Sequence, residues 1–599
     1  MAGVGDFKRL VGQAVGAADR FGDRLGGFGE VLRAVGRPVV RWMNQAGLPV
    51  AEQARLDPRT YGQWARAFDT LGGDERKAVA QAVEALPRRP VFSLVALGGA
   101  DVAGLQAQIY SDWELILPAG AAAEGDPRIR TAAPGATAQA ALAEARGHWI
   151  GLIGEGVRLR PHALAAVALA LNGAPEAELA FADEDRLGPG GERLAPWFKP
   201  SFDLELMLGG QDLVGGGLAL FRREALARVG GLRGGTEGAE AFDLALRIAG
   251  PAPARALHLP FVLAHRLAEA PDALAARRRC VQDFLQEHPL PHGAGRVEAA
   301  PKGGLRIAWP VPDPAPLVSI IVPTRDRAEL LRTCAEGVLS RTDYREIELL
   351  IVDNGSVEPA TMALFDKLRA DPRVRVIEDP APFNYSRLNN LAAREARGEV
   401  LVLLNNDIDV IGPGWLTELV GQALRPDVGA AGARLLFADG RVQHAGIALG
   451  IAGVGSYYHP YVEREARGYR DALVLTREVS AVTGACLALR REVYERVGGL
   501  EEEHLAVAFN DIDLCLKVRE AGLRVVVTPF AELHHYESAS RGRDRSAENR
   551  ERYARESAYM RQRWGKVLDE DPFYNPNFSL RSGGFKLASP PRARKPWGG

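Results

Sequence analysis

The sequence has 599 residues, in which 74 Lys and Arg nearly balance 76 Asp and Glu, so that the formal net charge is −2. This balance excludes a globally basic nucleic-acid-binding protein and an acidic solvating chain. Hydrophobic residues make up 47% of the sequence, which is enough for large buried cores. The four cysteines, Cys280, Cys334, Cys486 and Cys515, are far apart and form no CxxC pair. That pattern excludes a zinc ribbon and a disulfide framework, and it favours a reducing compartment.

Residues 1–90 are predicted to form a helical N-terminal extension, because apolar residues recur there at spacings of three and four. We expect these helices to pack on the rest of the chain. The alternative is an amphipathic segment on a membrane surface, since basic residues outnumber acids through residue 50. No run approaches the ~18–20 apolar residues of a membrane span, and the first thirty residues lack the apolar core of a signal peptide. The expectation is a cytoplasmic protein, with peripheral contact at the inner face of the cytoplasmic membrane left open.

Two stretches of the chain alternate short apolar runs with helical segments. In residues 91–275, the runs predicted as strands are 91–97, 113–117, 149–153 and 179–182. After residue 316 they are 317–322, 347–352, 374–377, 400–404 and 525–528. Apolar strands that alternate with helices indicate a mostly parallel sheet covered on both faces. The sequence therefore predicts two Rossmann-like α/β domains in tandem.

A linker and a tail complete the predicted organisation. Residues 276–315 are predicted to join the two domains, because they end in a run of prolines at 310, 312, 314 and 316. The second domain is predicted over residues 316–570. Residues 571–599 show little periodicity and are predicted to be a loose C-terminal tail.

Three strands of the second domain run into polar residues at their carboxyl ends. These ends are the segments 323–327, 352–356 and 404–409, which carry acids, amides or hydroxyls. In an open parallel sheet, ligands bind at the carboxyl ends of the strands. Three such ends together predict a site for a polar ligand that carries a hydroxylated sugar and a metal-bound phosphate.

Five motifs of the second domain resemble, in order and spacing, those of the family 2 glycosyltransferases with the GT-A fold. They are VSIIVPTRDR, LLIVDNGS, FNYSRLNNLAAREARGEVLVLLNNDIDV, VTGACLALRREVYERVGGLEEE and FNDIDLCLKVREAGLRVVVTPFAELHHYES. The second domain looks most like bacterial members that build surface polysaccharides, including rhamnosyltransferase-like proteins. The resemblance implies transfer of a sugar from a UDP- or dTDP-linked donor to a hydroxyl of a growing or lipid-linked cell-surface glycan, such as O-antigen.

The resemblance also implies which residues bind the nucleotide. Asp353 matches the acid that accepts a hydrogen bond from the base, with a helix N-cap as the alternative. Thr324 and Asp326 line the nucleotide pocket, and Asn390 borders the diphosphate or ribose. Arg541 lies in a basic segment after residue 538, where it would help to hold the diphosphate.

A divalent cation, Mg²⁺ or Mn²⁺, is implied as the cofactor, because both ions prefer oxygen ligands and the donor phosphates supply several. The resemblance places Asn405 and Asp407 at the two metal-binding positions, whereas the literal DxD motif is Asp407 with Asp409. Asp407 belongs to both interpretations. A histidine near the end of the domain often completes such a site; His534 or His535 matches it, and His534 is preferred.

An acceptor hydroxyl is a poor nucleophile, so an inverting displacement needs a carboxylate base. Asp511 matches the family's catalytic base, and Asp513 is the alternative. His444 is a candidate for the acceptor side, although a structural role is the preferred interpretation.

The first domain resembles the same family more faintly, and its chemical positions differ. Segment 153–156 replaces the acidic metal loop, and Ala241 stands where the base is expected. We expect a non-catalytic domain. Two alternatives for the whole chain are a non-catalytic nucleotide-sugar-binding scaffold of a polysaccharide assembly complex and a sugar nucleotidyltransferase. The second would need a glycine-rich loop after the first strand, which segment 324–327 does not provide.

Overall fold

The computed structural model describes residues 58–121, 125–267, 272–536 and 547–598. All of these belong to one compact unit, Ala54–Gly599. The predicted N-terminal extension lies outside the described residues as far as residue 57, and its remainder forms two helices, α1 (Pro58–Phe68) and α2 (Gly73–Glu84). None of the helices in the described part of the chain is long and apolar enough to cross a bilayer.

The first α/β domain follows α2. Its elements in chain order are β1 (Phe92–Ala96), α3 (Val102–Gln106), β2 (Trp113–Leu117), β3 (Ile129–Thr131), α4 (Ala138–Ala143), β4 (Trp149–Ile153), β5 (Val157–Leu159), α5 (Ala163–Asn172), β6 (Leu179–Leu187), β7 (Arg193–Trp197), α6 (Leu204–Leu208), β8 (Ala219–Arg222), α7 (Arg223–Arg228), α8 (Glu240–Ala249) and β9 (Ala256–Arg266).

The segment predicted as a linker is instead largely folded. It contains α9 (Leu274–Glu287) and an antiparallel hairpin of β10 (Arg296–Ala299) and β11 (Leu305–Ala308). Cys280, Val281 and Phe284 of α9 are buried in the core of the first domain. The proline run marks only the last few residues before the second domain.

The second α/β domain completes the element order. Its elements are β12 (Val318–Thr324), α10 (Ala328–Ser340), β13 (Ile347–Asp353), α11 (Pro359–Leu368), β14 (Val374–Glu378), α12 (Tyr385–Glu395), β15 (Val400–Leu404), β16 (Ile408–Val410), α13 (Trp415–Ala423), β17 (Val428–Leu436), β18 (Val442–His444), β19 (Ile447–Leu449), β20 (Gly455–Tyr457), β21 (Arg477–Glu478), β22 (Cys486–Arg490), α14 (Arg491–Arg496), α15 (Asn510–Glu520), β23 (Arg524–His535) and α16 (Ala547–Trp564).

The two domains share one sheet topology. The strand order is β3-β2-β1-β4-β8-β6-β9-β5 in the first domain and β14-β13-β12-β15-β22-β17-β23-β16 in the second. Four strands on one side of each sheet are parallel, and the following strand, β8 or β22, pairs antiparallel with its neighbours. The prediction of tandem α/β domains is confirmed, although each sheet is mixed beyond its parallel half. Apolar clusters cover both faces of each sheet.

A small hydrogen-bonded group is repeated at the same place in both domains. Ser319 Oγ donates to Glu348 Oε1 at 2.6 Å and accepts from the backbone N–H of Gly398 at 2.8 Å. The first domain repeats these contacts at Ser93, Glu114 and Gly147. This group ties the starts of three neighbouring strands together, so the repeat extends from topology to side-chain contacts.

The C-terminal segment packs against both domains, in contrast to the loose tail expected from its lack of periodicity. Tyr574, Phe578 and Phe585 are buried, and Phe578 contacts Phe198 of the first domain and Tyr469 of the second. These aromatic residues sit at irregular spacings, so neither the helical nor the strand period reveals them. The segment therefore stabilises the arrangement of the two domains.

Candidate functional site

A cleft of about 520 Å³ opens at the carboxyl ends of β12 and β15 in the second domain. Four predicted site residues line it: Thr324, Asn405, Asp407 and Asp511. His535, at the end of β23, lines it as well. The polar strand ends from which a ligand site was predicted therefore border a cavity.

Asp407 faces His535 inside this cleft. The Asp407 side chain is almost fully buried, and its Oδ1 lies 3.2 Å from His535 Nε2 without accepting a hydrogen bond. His535 Nδ1 lies 2.8 Å from Gln443 Oε1, an acceptor, so we assign the imidazole proton to Nδ1. His535 Nε2 then presents a lone pair, which accepts from the Asn405 amide at 3.1 Å.

This arrangement fits a divalent cation. The Asp407 carboxylate oxygen lies 3.2 Å from His535 Nε2, and in the assigned tautomer the Nε2 lone pair accepts from Asn405, a hydrogen bond that a bound cation would replace. The Gln443 contact fixes the tautomer, as an outer partner does at metal-binding histidines. Within the described ranges, no group of three or more His, Cys, Asp or Glu side chains is placed to hold a metal. Asp407, His535 and the side-chain oxygen of Asn405 could therefore provide only part of a coordination shell.

Asp409 and His534 lie on the other face of the same strand pair. In the antiparallel pairing of β16 with β23, Asp409 is opposite His534 and Ile408 is opposite His535. Asp409 forms an ion pair with Arg341 at 2.5 Å and accepts from Tyr536 Oη at 3.0 Å. His534 Nδ1 contacts the Phe437 carbonyl at 3.1 Å. Neither lines the cleft, so His535 takes the place for which the sequence favoured His534.

Asp511 lies in the first turn of α15 and is half-buried at the cleft. Its Oδ2 accepts from the Gly484 N–H at 3.0 Å, and its Oδ1 accepts from the Ile512 N–H at 2.8 Å. Burial raises the pKa of Asp511, while these two backbone donors oppose the shift. A carboxylate with a raised pKa at a cavity wall is suited to accept a proton.

Asp513, the alternative base, has structural partners instead. It is fully buried, and its carboxylate lies 2.9 Å from Trp564 Nε1 and 3.2 Å from Lys517 Nζ. Its position two residues after Asp511 turns it to another side of the helix. Asp511 therefore lines the cleft, whereas Asp513 is buried among structural partners.

Thr324 and Asp326 follow β12 but differ in their surroundings. Thr324 Oγ1 accepts from the Asn406 amide at 2.9 Å and lines the cleft. Asp326 Oδ1 accepts from the backbone N–H groups of Val357 and Glu358 at 2.8 and 2.9 Å. Asp326 thus caps the turn before α11 and is not among the described residues that line the cleft.

Asp353 and Asn390 also lie outside the cleft lining in the described part of the chain. Asp353 Oδ1 accepts from the Ser356 N–H at 2.9 Å, which is the cap-like contact weighed against base binding. Asn390 borders a separate cavity of about 550 Å³. Its amide donates to the Leu500 carbonyl at 2.8 Å and to Glu502 at 2.7 Å, so its contacts are structural. Arg541 lies outside the described residues.

His444 is a structural residue. It is fully buried, and its Nε2 accepts from the N–H groups of Gly446 and Thr483, both at 3.2 Å. Burial lowers the pKa of His444 to about 4, so the ring is neutral at physiological pH. This position agrees with the preferred interpretation of the sequence.

The far wall of the cleft was not predicted. It is formed by Phe383, Tyr385, Tyr457 and Val507. Tyr385 Oη donates to the Gly484 carbonyl at 2.9 Å, next to the N–H that contacts Asp511. Phe383 and Tyr385 belong to the FNYS motif, which could have indicated them, whereas Tyr457 comes from the separate β19–β20 hairpin.

The first domain has different residues at the equivalent positions. Strand register places Gly156 where the second domain has Asp407, and Arg266 where it has His535. Ala241, in the first turn of α8, corresponds to Asp511 in α15. The side chains that could hold a cation or accept a proton are therefore replaced at all three positions.

Ion pairs lie at the corresponding place in the first domain. Glu184 lies 2.8 Å from Lys199 and 3.5 Å from Arg266, and Lys199 is fully buried. A Cβ atom added at Gly216, the counterpart of Gly484, would lie 2.1 Å from Arg266 Nη1. The Arg266 guanidinium and the Glu184 carboxylate thus lie against the glycine whose counterpart lines the cleft in the second domain.

Comparison with known proteins gives the second domain a family. Residues 319–498 match the sequence profile of glycosyl transferase family 2. The second domain is a family 2 glycosyltransferase domain. The match covers Thr324, Asp353 and the 405–407 loop and ends before Asp511 and His535.

Two curated relatives extend over much more of the chain than this family 2 domain, and a third matches a stretch about as long as the domain itself. An uncharacterised protein of Sinorhizobium fredii, y4gI, is 40% identical over 86% of the chain and 61% of its own length. The O-antigen biosynthesis protein RfbC of Myxococcus xanthus is 38% identical over 92% of the chain and 45% of its own length. An N-acetylglucosaminyl-diphospho-decaprenol L-rhamnosyltransferase of Mycobacterium tuberculosis is 28% identical over 34% of the chain and 72% of its own length. The chain thus spans only about half of its two long relatives.

Proposed function

We propose that the family 2 domain transfers a sugar, with inversion, from a nucleoside-diphosphate sugar to a hydroxyl of a growing cell-surface glycan. The observation that carries the proposal is the placement of the Asp407–His535 pair and Asp511 on one cleft. The Asp407–His535 pair suits a phosphate-bound cation, and Asp511 suits a general base. The donor is UDP- or dTDP-linked, and the relatives named for O-antigen biosynthesis and rhamnosyl transfer support the acceptor class.

On the donor side, Asp407, His535 and Asn405 would hold Mg²⁺ or Mn²⁺ together with the donor phosphates. The bound cation would neutralise the charge that develops on the leaving diphosphate. Arg325, exposed at the cleft wall, adds a further positive charge on this side. Asp326 and Asp353 would shape the neighbouring 354–358 loop, and Asp353 is retained as the candidate contact for the base.

On the acceptor side, Asp511 would take the proton of the attacking hydroxyl. The acceptor oxygen forms a bond to the anomeric carbon while the bond from that carbon to the diphosphate breaks on the opposite face. The proton moves to the Asp511 carboxylate, and the electron pair leaves with the diphosphate. The N–H groups of Gly484 and Ile512 fix the carboxylate, so that its free lone pairs stay oriented toward the cleft.

We propose that the first domain supports the family 2 domain without transferring sugar itself. Gly156, Arg266 and Ala241 at the equivalent positions support this, as do the ion pairs of Glu184 with Lys199 and Arg266. The domain would act as a packing partner whose helix α6 contacts β21 and β23.

A donor screen tests the proposed function. The protein is incubated with UDP- and dTDP-sugars, with Mn²⁺ or with chelator, and released diphosphate is measured. We expect metal-dependent release from at least one donor, which Asp407→Asn abolishes and Asp409→Asn does not. Failure of every donor to bind or to be cleaved would contradict the proposal and favour a non-catalytic scaffold.

A further inference from the structure

We propose that Glu556 is a positioning residue, which fixes the loop that carries Asp511 into the cleft. The inference rests on the proposed function, because it assigns a role relative to the general base of that reaction. It concerns α16, a helix whose sequence is mostly polar or charged and predicts a solvated surface.

The loop before α15 is held on one side by α12. The backbone N–H of Tyr385 donates to the Ala506 carbonyl at 2.8 Å, and Ser386 Oγ donates to the Leu505 carbonyl at 2.5 Å. These contacts fix residues 505 and 506. The next two residues, Val507 and Ala508, need partners for their own N–H groups.

Glu556 supplies both partners. Its Oε1 accepts from the Val507 N–H at 3.1 Å, and its Oε2 accepts from the Ala508 N–H at 2.8 Å. The side chain is 2% exposed, and its nearest basic group, Arg552 Nε, lies 3.9 Å away. A buried carboxylate that lacks a close cation is costly unless its hydrogen bonds compensate. Both oxygens of Glu556 are therefore committed to the loop.

The positioned loop leads directly to the base. Val507, Asn510 and Asp511 line the cleft, and Phe509 between them has a φ of 62°, in the left-handed region. This conformation is unfavourable for a bulky residue and persists only where the surroundings impose it. A small displacement of the loop would move Asp511 away from the acceptor hydroxyl, and such misplacements are costly for catalysis.

Other contacts align α16 with α15. Glu556, Met560 and Trp564 recur at intervals of four and form the buried stripe of α16. Trp564 Nε1 donates to Asp513 Oδ1 at 2.9 Å, so the stripe contacts α15 two residues beyond the base. The helix thus fixes the segment around Asp511 from both directions. Glu556 holds two N–H groups of the loop, and the Tyr553 ring packs on Phe509 with 5.0 Å between ring centroids.

The test compares Glu556→Gln with Glu551→Gln, an exposed site on the same helix. The amide keeps one acceptor oxygen and loses the other, so we expect kcat to fall about 10–100-fold while KM for the donor and Mn²⁺ affinity stay within twofold. The acid limb of the pH profile should shift, because the surroundings of Asp511 change. Glu551→Gln should match the wild type. If Glu556→Gln does not fold, Glu556→Asp, which withdraws the carboxylate by one methylene, is measured instead. It should also show a lower kcat with unchanged donor KM and Mn²⁺ affinity.

A second variant separates positioning from plain stability. Met560→Ala removes a fully buried apolar side chain of the same helix and leaves both acceptor oxygens of Glu556 in place, so it should lower Tm but leave kcat unchanged at temperatures where the protein is folded. A wild-type kcat in both Glu556 variants would overturn the positioning role alone. An equal loss of kcat in Met560→Ala would do the same. A wild-type enzyme without transferase activity would instead overturn the proposed function on which the inference rests.

Discussion

Asp511 is subject to two opposing influences on its proton. Burial favours the neutral acid and raises the pKa, whereas the N–H groups of Gly484 and Ile512 favour the carboxylate. Burial dominates, so the folded-state pKa lies above the ordinary value of 3.8. The proposed role as a general base needs the ionised form, which is present above the raised pKa and is lost as the pH falls through it.

The pH dependence of catalysis follows from this shift. We expect kcat/KM of the wild type to fall about tenfold per pH unit below the raised pKa of Asp511. Asp511→Asn should lower kcat by about 10²–10⁴-fold and remove this acid limb. Rate profiles between pH 4 and pH 8 measure both effects. An unchanged acid limb in Asp511→Asn would assign the titration to another group.

The proposed cation site gives a matched pair of substitutions at adjacent histidines. His535→Gln should weaken Mn²⁺ binding in the presence of nucleotide, because it removes the lone pair that faces Asp407. His534→Gln should leave the affinity unchanged. Gln443→Ala, which frees the His535 Nδ1 proton, should reduce affinity about 10–100-fold. Calorimetric titration with Mn²⁺ and UDP or dTDP measures all three, and equal effects of the two histidine substitutions would contradict the assignment.

The sequence identified candidate site residues, but it could not show which of two adjacent residues faces the site, because that depends on strand register. Asp407 was identified because two alignments of the metal motif share it. His534 and His535 are adjacent, and the β16–β23 pairing decides which one faces Asp407. A shift by one residue exchanges the two faces of a strand, and no local pattern of the HH pair fixes that choice.

The repeated serine–glutamate–glycine group explains how the site elements are anchored. A Cβ atom at Gly398 would lie 2.6 Å from both the Ser319 backbone nitrogen and its Oγ. The equivalent atom at Gly147 would lie 2.6 Å from the Ser93 nitrogen. Both glycines therefore allow two neighbouring strands to start in close contact, and β15 then leads directly into the 405–407 loop.

Alanine at these two glycines should separate stability from activity. We expect Gly398→Ala and Gly147→Ala each to lower the free energy of unfolding by about 1–3 kcal/mol, because both overpack a strand start. Only Gly398→Ala should also lower kcat of the folded fraction, since β15 positions Asn405 and Asp407. Urea unfolding and steady-state kinetics on the same samples check this. A loss of kcat in Gly147→Ala at full folding would give the first domain a direct role in catalysis.

Elements were predictable where periodicity was strong. The apolar strands of both domains are present in the structure, because continuous apolar runs bounded by turns are a robust signal. The packing of helix α16 and of the C-terminal segment could not be predicted, for one physical reason. Their contacts depend on sparse residues such as Glu556 and Phe578, which become informative only once a partner surface exists.

At the scale of the whole molecule, a buried ion-pair network joins the two domains. Glu205 of α6 is 2% exposed and lies 2.7 Å from both Arg425 and Arg524 of the second domain. Burial alone would raise the pKa of Glu205, but the two arginines outweigh it and hold the pKa below 4.5. Glu205 therefore contributes stability above its unfolded-state pKa, and this contribution is lost as the pH falls through the folded-state pKa.

Neutralising Glu205 should destabilise the folded protein strongly. Glu205→Gln leaves two buried guanidinium groups without their shared carboxylate, so we expect a loss of about 3–5 kcal/mol at pH 7. The difference from wild type should shrink as the pH falls from the unfolded-state pKa through the depressed folded-state pKa, where the wild-type carboxylate becomes protonated. Urea unfolding at several pH values measures this, with the exposed Glu224→Gln as control. A pH-independent difference would contradict the electrostatic explanation.

The two domains have the same fold but different residues at the position of the site. The two domains share strand order and an internal hydrogen-bonded group, and Asp407, His535 and Asp511 line a cleft in the second. In the first, Arg266 and Glu184 form an ion pair at the equivalent place. The resemblance to the family predicted the lost acids, but the ion pair became apparent only in the structure.

The most direct test of the account measures donor binding and turnover together for Asp407→Asn and Asp511→Asn. If the two acids serve the donor and acceptor sides of one cleft, Asp407→Asn loses Mn²⁺-dependent nucleotide binding and turnover alike. Asp511→Asn then binds the donor within twofold of wild type but turns it over at least about 100-fold more slowly. Turnover at the wild-type rate by either variant would contradict the account.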